Sequence, residues 1–188
     1  GNGWMFAETG GGTELIYRVL QDISRAWSMR GPQTALTDAF VRYAGAKDVE
    51  DLLAGITRGR YRVRAAAAPL VFEAAAAGDA VAQAAIDWLG AGLGDLACGI
   101  IRQLGIAHLP FDIVLAGSIF QGGDPIVDDM RAVVLPLAPQ ASFVRLHAPP
   151  VSGALLLGMQ QGGVDFLPIR ERVIDGARLL VARPSSPA

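Results

Sequence analysis

Hydrophobic residues in the first part of the chain recur at three- and four-residue spacing, which predicts a run of amphipathic helices. The first helix is predicted over residues 13–29, with Thr13 as its N-cap and a Gly-Pro stop behind it. A second helix follows Thr34 and ends at Gly45, and Asp48 caps a short third one. This half of the chain therefore reads as small helices around a shared core.

The next stretch is dense in alanine and predicts more helix. Over residues 63–77 we expect a helix that is broken once, because Pro69 either starts a helix or kinks one. Gly78 and Asp79 then end this element and begin a long helix over residues 80–104.

The long helix carries several glycines, each of which costs about 1 kcal/mol relative to alanine in a helix interior. Their clustering predicts that something packs very close to this helix, a neighbouring helix rather than a ligand. The glycines are Gly90, Gly92, Gly94 and Gly99. The large apolar residues of the helix are expected along one side. They are Ile86, Leu89, Leu93, Leu96, Ile100 and Leu104.

After Pro110 the pattern changes to short β-branched runs alternating with helices, which is typical of a parallel α/β unit. We expect a buried strand at 111–116, and a lone strand at the end of the chain over 179–183. The other elements are a helix over 125–137, a strand over 142–146 and a helix over 151–160. No linker separates the halves, so one compact unit is predicted over residues 1–188, helix-rich, with a small, partly parallel sheet.

The composition of the chain argues against some classes of protein. The chain of 188 residues has 52% hydrophobic and 18% charged residues and a formal charge of −2. No basic stripe supports nucleic-acid binding, and the alternating arginines of residues 58–64 are expected to be a solvated edge. Cys98, the only cysteine, is expected in the core. Without a leader or a long uninterrupted apolar run, we expect a soluble cytoplasmic protein with no membrane partner.

The candidate ligand site lies where the first predicted strand stops on Gly117 and Ser118. Backbone N–H groups at the carboxyl end of a parallel strand are where open α/β sheets bind ligands. A plain strand-to-loop turn is the alternative. A second glycine-containing segment, 149–158, has small residues at 152–154 that allow close packing of its helix on the sheet, with ligand contact as the alternative.

The opening glycine-rich loop contains one acid, Glu8. Its carboxylate is suited to accept two adjacent sugar hydroxyls, or it favours the positive end of the following helix. His108 and His147 lack acidic or cysteine partners at ligand spacing, so no metal site is predicted. A ligand loop with no strand before it leads us to expect the chain to be part of a larger two-domain protein.

Several segments together resemble the C-terminal lobe of the BadF/BadG/BcrA/BcrD ATPase family, within the actin-like sugar kinases, and most of all its N-acetylglucosamine and glucosamine kinases. The first segment is similar to that family's Gly-x-Gly-x-x-x-Gly-Asp-x-Gly-Ser loop. The matching segments are GNGWMFAETGG (1–11), TALT (34–37), the alanine-rich run with AGDAVA (77–82), LAGSIF (115–120) and PPVSGA (149–154).

The resemblance implies a ribonuclease-H-like lobe of an enzyme that transfers phosphate from ATP, with Mg²⁺, to a sugar or amino sugar. Gly117 and Ser118 would bind adenosine, and Asn2, Gly3 and Glu8 would bind the sugar. The catalytic aspartate and the phosphate loops of the family belong to its N-terminal lobe, so no catalytic residue is expected in this chain, which alone should be inactive. A homodimer is left open.

Two other functions remain as alternatives to the kinase. Ala7 and Glu8 stand where the family has Gly-Asp, and this departure keeps a non-catalytic ATP-binding or regulatory module as the alternative. The family also contains ATP-driven activators of 2-hydroxyacyl-CoA dehydratases, which hold an iron–sulfur cluster through cysteines. The single Cys98 favours the kinase branch over these activators.

Overall fold

The computed structural model describes residues 10–181, which form eight α-helices and a two-stranded parallel sheet. The helices are α1 (Gly12–Trp27), α2 (Leu36–Ala44), α3 (Val49–Thr57), α4 (Ala68–Ala76), α5 (Ala80–Leu104), α6 (Pro125–Val134), α7 (Pro150–Gln161) and α8 (Arg170–Val181). The strands are β1 (Phe111–Leu115) and β2 (Ala141–Arg145), and short 3-10 turns cover Ala65–Ala67, Ser118–Gly122 and Leu167–Ile169. This architecture confirms a helix-rich α/β chain.

The described residues cluster into two compact units, where the sequence predicted one. The first contains residues 10–113 and 117–143, and the second contains residues 114–116 and 144–181. Two of the boundaries fall inside the strands and the third lies just after β1, so no linker between the units is visible in the sequence.

The start of α1 differs from the sequence prediction. Its first residue is Gly12, and the prediction that Thr13 is the N-cap is wrong. Instead the backbone N–H of Gly11 donates to the Glu14 carboxylate at 2.9 Å. A side chain that reaches back from the third helical position satisfies a donor that the helix itself leaves free.

The next three helices follow their local signals. The carboxylate of Asp48 accepts the N–H of Asp51 at 2.8 Å and caps α3. Gly45 ends α2 as predicted. The single break in the alanine-rich stretch is also confirmed: a 3-10 turn leads into α4, and Pro69 lies in the first turn of that helix, where its missing N–H costs nothing.

The glycines of α5 bring α6 into close contact, as the sequence predicted for a neighbouring helix. A methyl group placed on Gly90 would lie 2.5 Å from Cβ of Asp129, and one on Gly94 would lie 2.9 Å from Cβ of Val133. For Gly99, by contrast, no atom of the described residues beyond its own stretch of helix lies within 4 Å of that position.

The buried side of α5 is not the side that its large residues predicted. Leu96, Ile100 and Leu104 are 37%, 57% and 63% exposed, so for them the prediction is wrong. In the second half of α5 the buried positions are instead Gly94, Cys98 and Ile101, because α6 and the strands pack on that side. Cys98 lies in this core as predicted.

The strands are more open than the sequence indicated. In β1 only Leu115 is buried, and Val114 is 58% exposed, so the prediction of a buried strand is wrong. The pairing of the chain continues past the end of β2, where the N–H of Leu146 donates to the carbonyl of Leu115 at 2.9 Å.

The second unit holds α7 and α8, which pack against each other. In α7 the hydroxyl of buried Ser152 donates to the carbonyl of Pro149, but Gly153 and Ala154 are exposed. The expected close packing on the sheet is therefore wrong for Gly153 and Ala154. The predicted final strand is also wrong, because α8 continues through Val181; residues 182 and 183 lie outside the described part of the chain.

The arginines at 58, 60, 62 and 64 are all exposed, as predicted for a solvated edge. Within residues 10–181, α5 alone is long and apolar enough to cross a membrane by length and composition, a test that core helices also pass. It packs against α1, α4 and α6.

Candidate functional site

The predicted Gly-Ser turn begins a short 3-10 segment. Gly117 has φ of +128° and ψ of 154°, a conformation open to glycine and strained for other residues. The chain then turns through Ser118–Gly122, where the N–H of Phe120 points to the carbonyl of Gly117 at 3.4 Å. Gly117 thus sets the direction in which Ser118 leaves the strand.

Ser118 opens onto a cavity of about 470 Å³ within the first unit. Its walls come from the start of α1, the alanine-rich stretch and the 3-10 segment. The lining residues are Gly12, Ala65, Ala66, Ala68, Pro69, Phe72, Glu73, Ser118, Ile119, Gln121 and Gly122. Segments far apart in sequence therefore meet around one hollow of the size that small ligands occupy.

Close contact between α4 and the 3-10 segment shapes one wall of this cavity. A methyl group on Gly122 would lie 2.6 Å from Cζ of the Phe72 ring, so only glycine lets the backbone approach the ring this closely. The ring of Phe72 therefore supports the segment that carries Ser118 and Gln121.

The chemistry of the lining suits an uncharged, flat group. Alanine, proline and phenylalanine provide apolar walls, while Ser118, Gln121 and Glu73 provide a hydroxyl, an amide and a carboxylate. The lining contains no Lys or Arg among the residues that the structure describes. A phosphate would find no cation here, whereas an adenine base or a ribose would find hydrogen-bonding groups.

A larger groove of about 850 Å³ runs along the outer face of α1 and includes Trp88 of α5. It is the larger hollow, but of the predicted site residues that the structure describes, neither Gly117 nor Ser118 lines it. Its Arg18 is already engaged, with a 2.9 Å ion pair to Asp22 and its guanidinium 5.7 Å from the centre of the Trp88 ring. We therefore place the candidate site at Ser118, where independent segments converge.

The predicted site residues have different outcomes. Ser118 lines the cavity, and Gly117 is the residue directly before Ser118. Asn2, Gly3 and Glu8 lie outside the described residues. The described part of the opening loop ends beside the cavity, because Gly12 is one of its lining residues.

Sequence reasoning missed most of the lining residues, among them Phe72, Glu73, Gln121 and Gly122. Phe72 and Glu73 interrupt the alanine-rich stretch, and a bulky ring and a carboxylate among alanines were a usable signal. Gln121 and Gly122 directly follow the Gly-Ser turn. Their role depends on the contact with Phe72, which no local pattern reveals.

Two further segments that carried the resemblance meet elsewhere in the first unit. Asp79 accepts hydrogen bonds from the Thr34 hydroxyl at 2.8 Å and the Ala35 N–H at 2.7 Å. Its other oxygen accepts the N–H groups of Val81 and Ala82, both at 2.9 Å. Burial works to raise the pKa of Asp79, but these four hydrogen bonds outweigh it and lower the pKa. Asp79 is thus a structural cap.

Within residues 10–181, no three His, Cys, Asp or Glu side chains come together in a way that could hold a metal ion. His108 contributes its backbone carbonyl to a hydrogen bond from the Gln140 amide at 3.0 Å.

Comparison with known proteins assigns no family to this chain. No protein-family model matches this chain, and no curated protein matches it.

Proposed function

We propose that this chain is the C-terminal lobe of an ATP-dependent amino-sugar kinase of the N-acetylglucosamine or glucosamine kinase type, with a ribonuclease-H-like fold. In this proposal the cavity beside Ser118 holds the adenosine of ATP. Asn2, Gly3 and Glu8 hold the sugar, and the protein acts in the cytoplasm.

One observation carries the proposal. Three segments line the same cavity. Gly12 comes from the end of the opening loop, several residues between Ala65 and Glu73 come from the alanine-rich stretch, and Ser118 comes from the Gly-Ser segment. These segments also carry the resemblance to the kinase family, and nothing in their separate sequences requires them to meet. Their convergence on one ligand-sized hollow supports a shared binding role.

In this proposal, different lining residues contact different parts of the nucleotide. The apolar walls would take the adenine, the Ser118 hydroxyl and the Gln121 amide would bind its polar edge, and the Glu73 carboxylate would accept ribose hydroxyls. The phosphates would point away from this cation-free lining. Phosphoryl transfer depends on positioning and on charge neutralisation, which Mg²⁺ and the other lobe would supply.

A cavity-filling substitution tests the adenosine site. Ala66 is exposed and lines the cavity, so Ala66→Trp would place an indole in it without burying a new side chain in the core. We expect ATP binding, measured by calorimetry on this chain, to weaken at least tenfold. Ala76→Trp is the matched control, since Ala76 is exposed at the end of α4 and does not line the cavity. Wild-type affinity in Ala66→Trp, or no ATP binding by the wild type, would overturn the site.

Activity separates the kinase from the regulatory module. The protein with both lobes should consume ATP only when an amino sugar is present, and Glu8→Ala should reduce that turnover. This chain alone should show none. ATP binding without sugar binding or turnover would support the regulatory module instead, and iron in the purified two-lobed protein would support the dehydratase activator.

A further inference from the structure

Asp129 lies in a very close contact between α6 and α5, against the backbone of α5 at Gly90. A methyl group on Gly90 would lie 2.5 Å from Cβ and 3.0 Å from Oδ2 of Asp129. That Oδ2 atom is shielded from solvent and has no hydrogen-bond partner among the residues that the structure describes. A carboxylate in such a place loses its hydration without gaining a donor.

The charges around this carboxyl group make the ionised form still less favourable. Asp87 of α5 and Asp128 of α6 both act on Asp129 with the same sign of charge. Arg131, on the same helix, is already paired with Asp128 at 2.8 Å. Ser118–Gly122, which also packs on α6, has no titratable side chain, and the strand residue Phe143 lies with its ring 5.5 Å from the Arg131 guanidinium. Burial, followed by these two carboxylates, raises the pKa of Asp129.

The start of α6 lies next to the wall of the cavity. The helix begins at Pro125, close behind Gly122, and buried Ile126 anchors its first turn. Gly122 in turn lies against the Phe72 ring. The segment that carries Ser118 and Gln121 therefore contacts both α6 and the Phe72 ring.

We propose that Asp129 is a proton-sensitive positioning residue: its neutral carboxyl group lets α6 lie closely on Gly90 of α5, and its ionisation loosens that contact and, with it, the Ser118–Gly122 wall of the cavity. Asp129 contacts no substrate in this proposal. The effect on the helix pair stands by itself, and only the effect on a nucleotide rests on the proposed function.

The direction of the pH effect follows from linkage. Since the folded chain holds the proton of Asp129 to a higher pH than the unfolded chain does, the free energy of unfolding falls as pH rises from the ordinary value near 3.8 to the raised pKa. Above the raised pKa the full penalty remains. Other carboxylates also change stability in this range, so the difference between a variant and the wild type isolates Asp129.

Two measurements test the helix-pair proposal. Carboxyl ¹³C NMR titration of the chain should give Asp129 a midpoint above 3.8, and Asp87→Asn should lower that midpoint. In urea unfolding, the free energy of unfolding of Asp129→Asn relative to the wild type should increase as pH rises through the same range. Any pH-independent difference between the two proteins does not affect this test. Asp128→Asn, which alters the exposed neighbour, should show a smaller pH-dependent gain. A midpoint at or below 3.8 would overturn the proposal, as would a pH-independent difference for Asp129→Asn.

A third measurement links the contact to the cavity. Above the raised pKa, Asp129→Asn should bind ATP more tightly than the wild type, and the two should converge at lower pH. If neither binds ATP, the proposed function fails while the NMR and unfolding results still decide the packing proposal. Equal ATP affinity at every pH, with the NMR shift present, would overturn the link to the cavity alone.

Discussion

The hydroxyl of Thr34 donates to Oδ2 of Asp79 at 2.8 Å, across 45 positions of sequence. Through the same carboxylate, Asp79 also accepts the N–H of Ala35 just before α2 and the first N–H groups of α5. One side chain therefore fixes the starts of two helices. A cap that serves a single helix contributes about 1 kcal/mol, so a shared one should contribute more.

We expect Asp79→Ala to lower the free energy of unfolding by about 2–3 kcal/mol, because four donors lose an ionised acceptor. Asp48→Ala, which removes a cap from α3 alone, should cost about 1 kcal/mol. Urea unfolding near neutral pH measures both. Equal losses would contradict the shared role of Asp79.

The contribution of Asp79 should also depend on pH. Because its folded-state pKa lies below the ordinary value of 3.8, its stabilisation is present above that value and is lost as pH falls through the folded pKa. The difference in unfolding free energy between the wild type and Asp79→Asn should therefore shrink below pH 3.8. A difference that stays constant across this range would mean that the ionised form of Asp79 is not preferred.

The α5–α6 contact predicts opposite effects at two glycines of one helix. Gly90→Ala should destabilise the chain by about 2 kcal/mol, since the new methyl group meets Asp129 and the Ile126 carbonyl. Gly99→Ala should be neutral or should stabilise it by up to about 1 kcal/mol, because the site is open and alanine favours helix. Thermal unfolding compares them directly, and destabilisation at both positions would argue against the close contact.

Met29, which follows α1, has a left-handed backbone conformation with φ of +56°. Because its side chain is 92% exposed, little packing energy offsets the strain of that conformation. Met29→Gly should stabilise the chain by about 1 kcal/mol. Arg58→Gly is the control, because the residue after α3 has φ of −88° and glycine there should cost about 0.5–1 kcal/mol. Chemical denaturation distinguishes the two signs.

Cys98 is buried between α5 and α6, with Sγ 3.6 Å from the Val133 carbonyl. Burial raises the pKa of its thiol, so the folded chain should react with a thiol reagent only through opening of this core. An Ala76→Cys variant supplies an exposed thiol that should react at once. Rapid labelling of both cysteines would contradict the packing of Cys98.

The candidate site was predictable only in part. The Gly-Ser turn could be found because a β-branched run stops on Gly117 and Ser118. Phe72 and Gln121 could not be assigned, because their place in the cavity depends on Gly122 lying against the Phe72 ring. That contact joins residues some fifty positions apart, and nothing local encodes such a pairing.

The sequence by itself determined where most helices begin and end. Asp48 and Asp79 cap their helices and Gly45 ends α2 because capping hydrogen bonds and left-handed turns act within a few residues. The long α5 has the bounds that its flanking signals predicted.

Tertiary structure decided which faces of those helices are buried. The aliphatic side of α5 predicted burial of Ile100 and Leu104, yet the helix buries Gly94 and Cys98 where α6 packs. Close approach of two backbones favours small residues, so the glycines, not the largest side chains, mark that contact. Likewise 179–181 continue α8 rather than forming a strand, because burial of Ile174 and Ala177 favours the helical period over a short β-prone run.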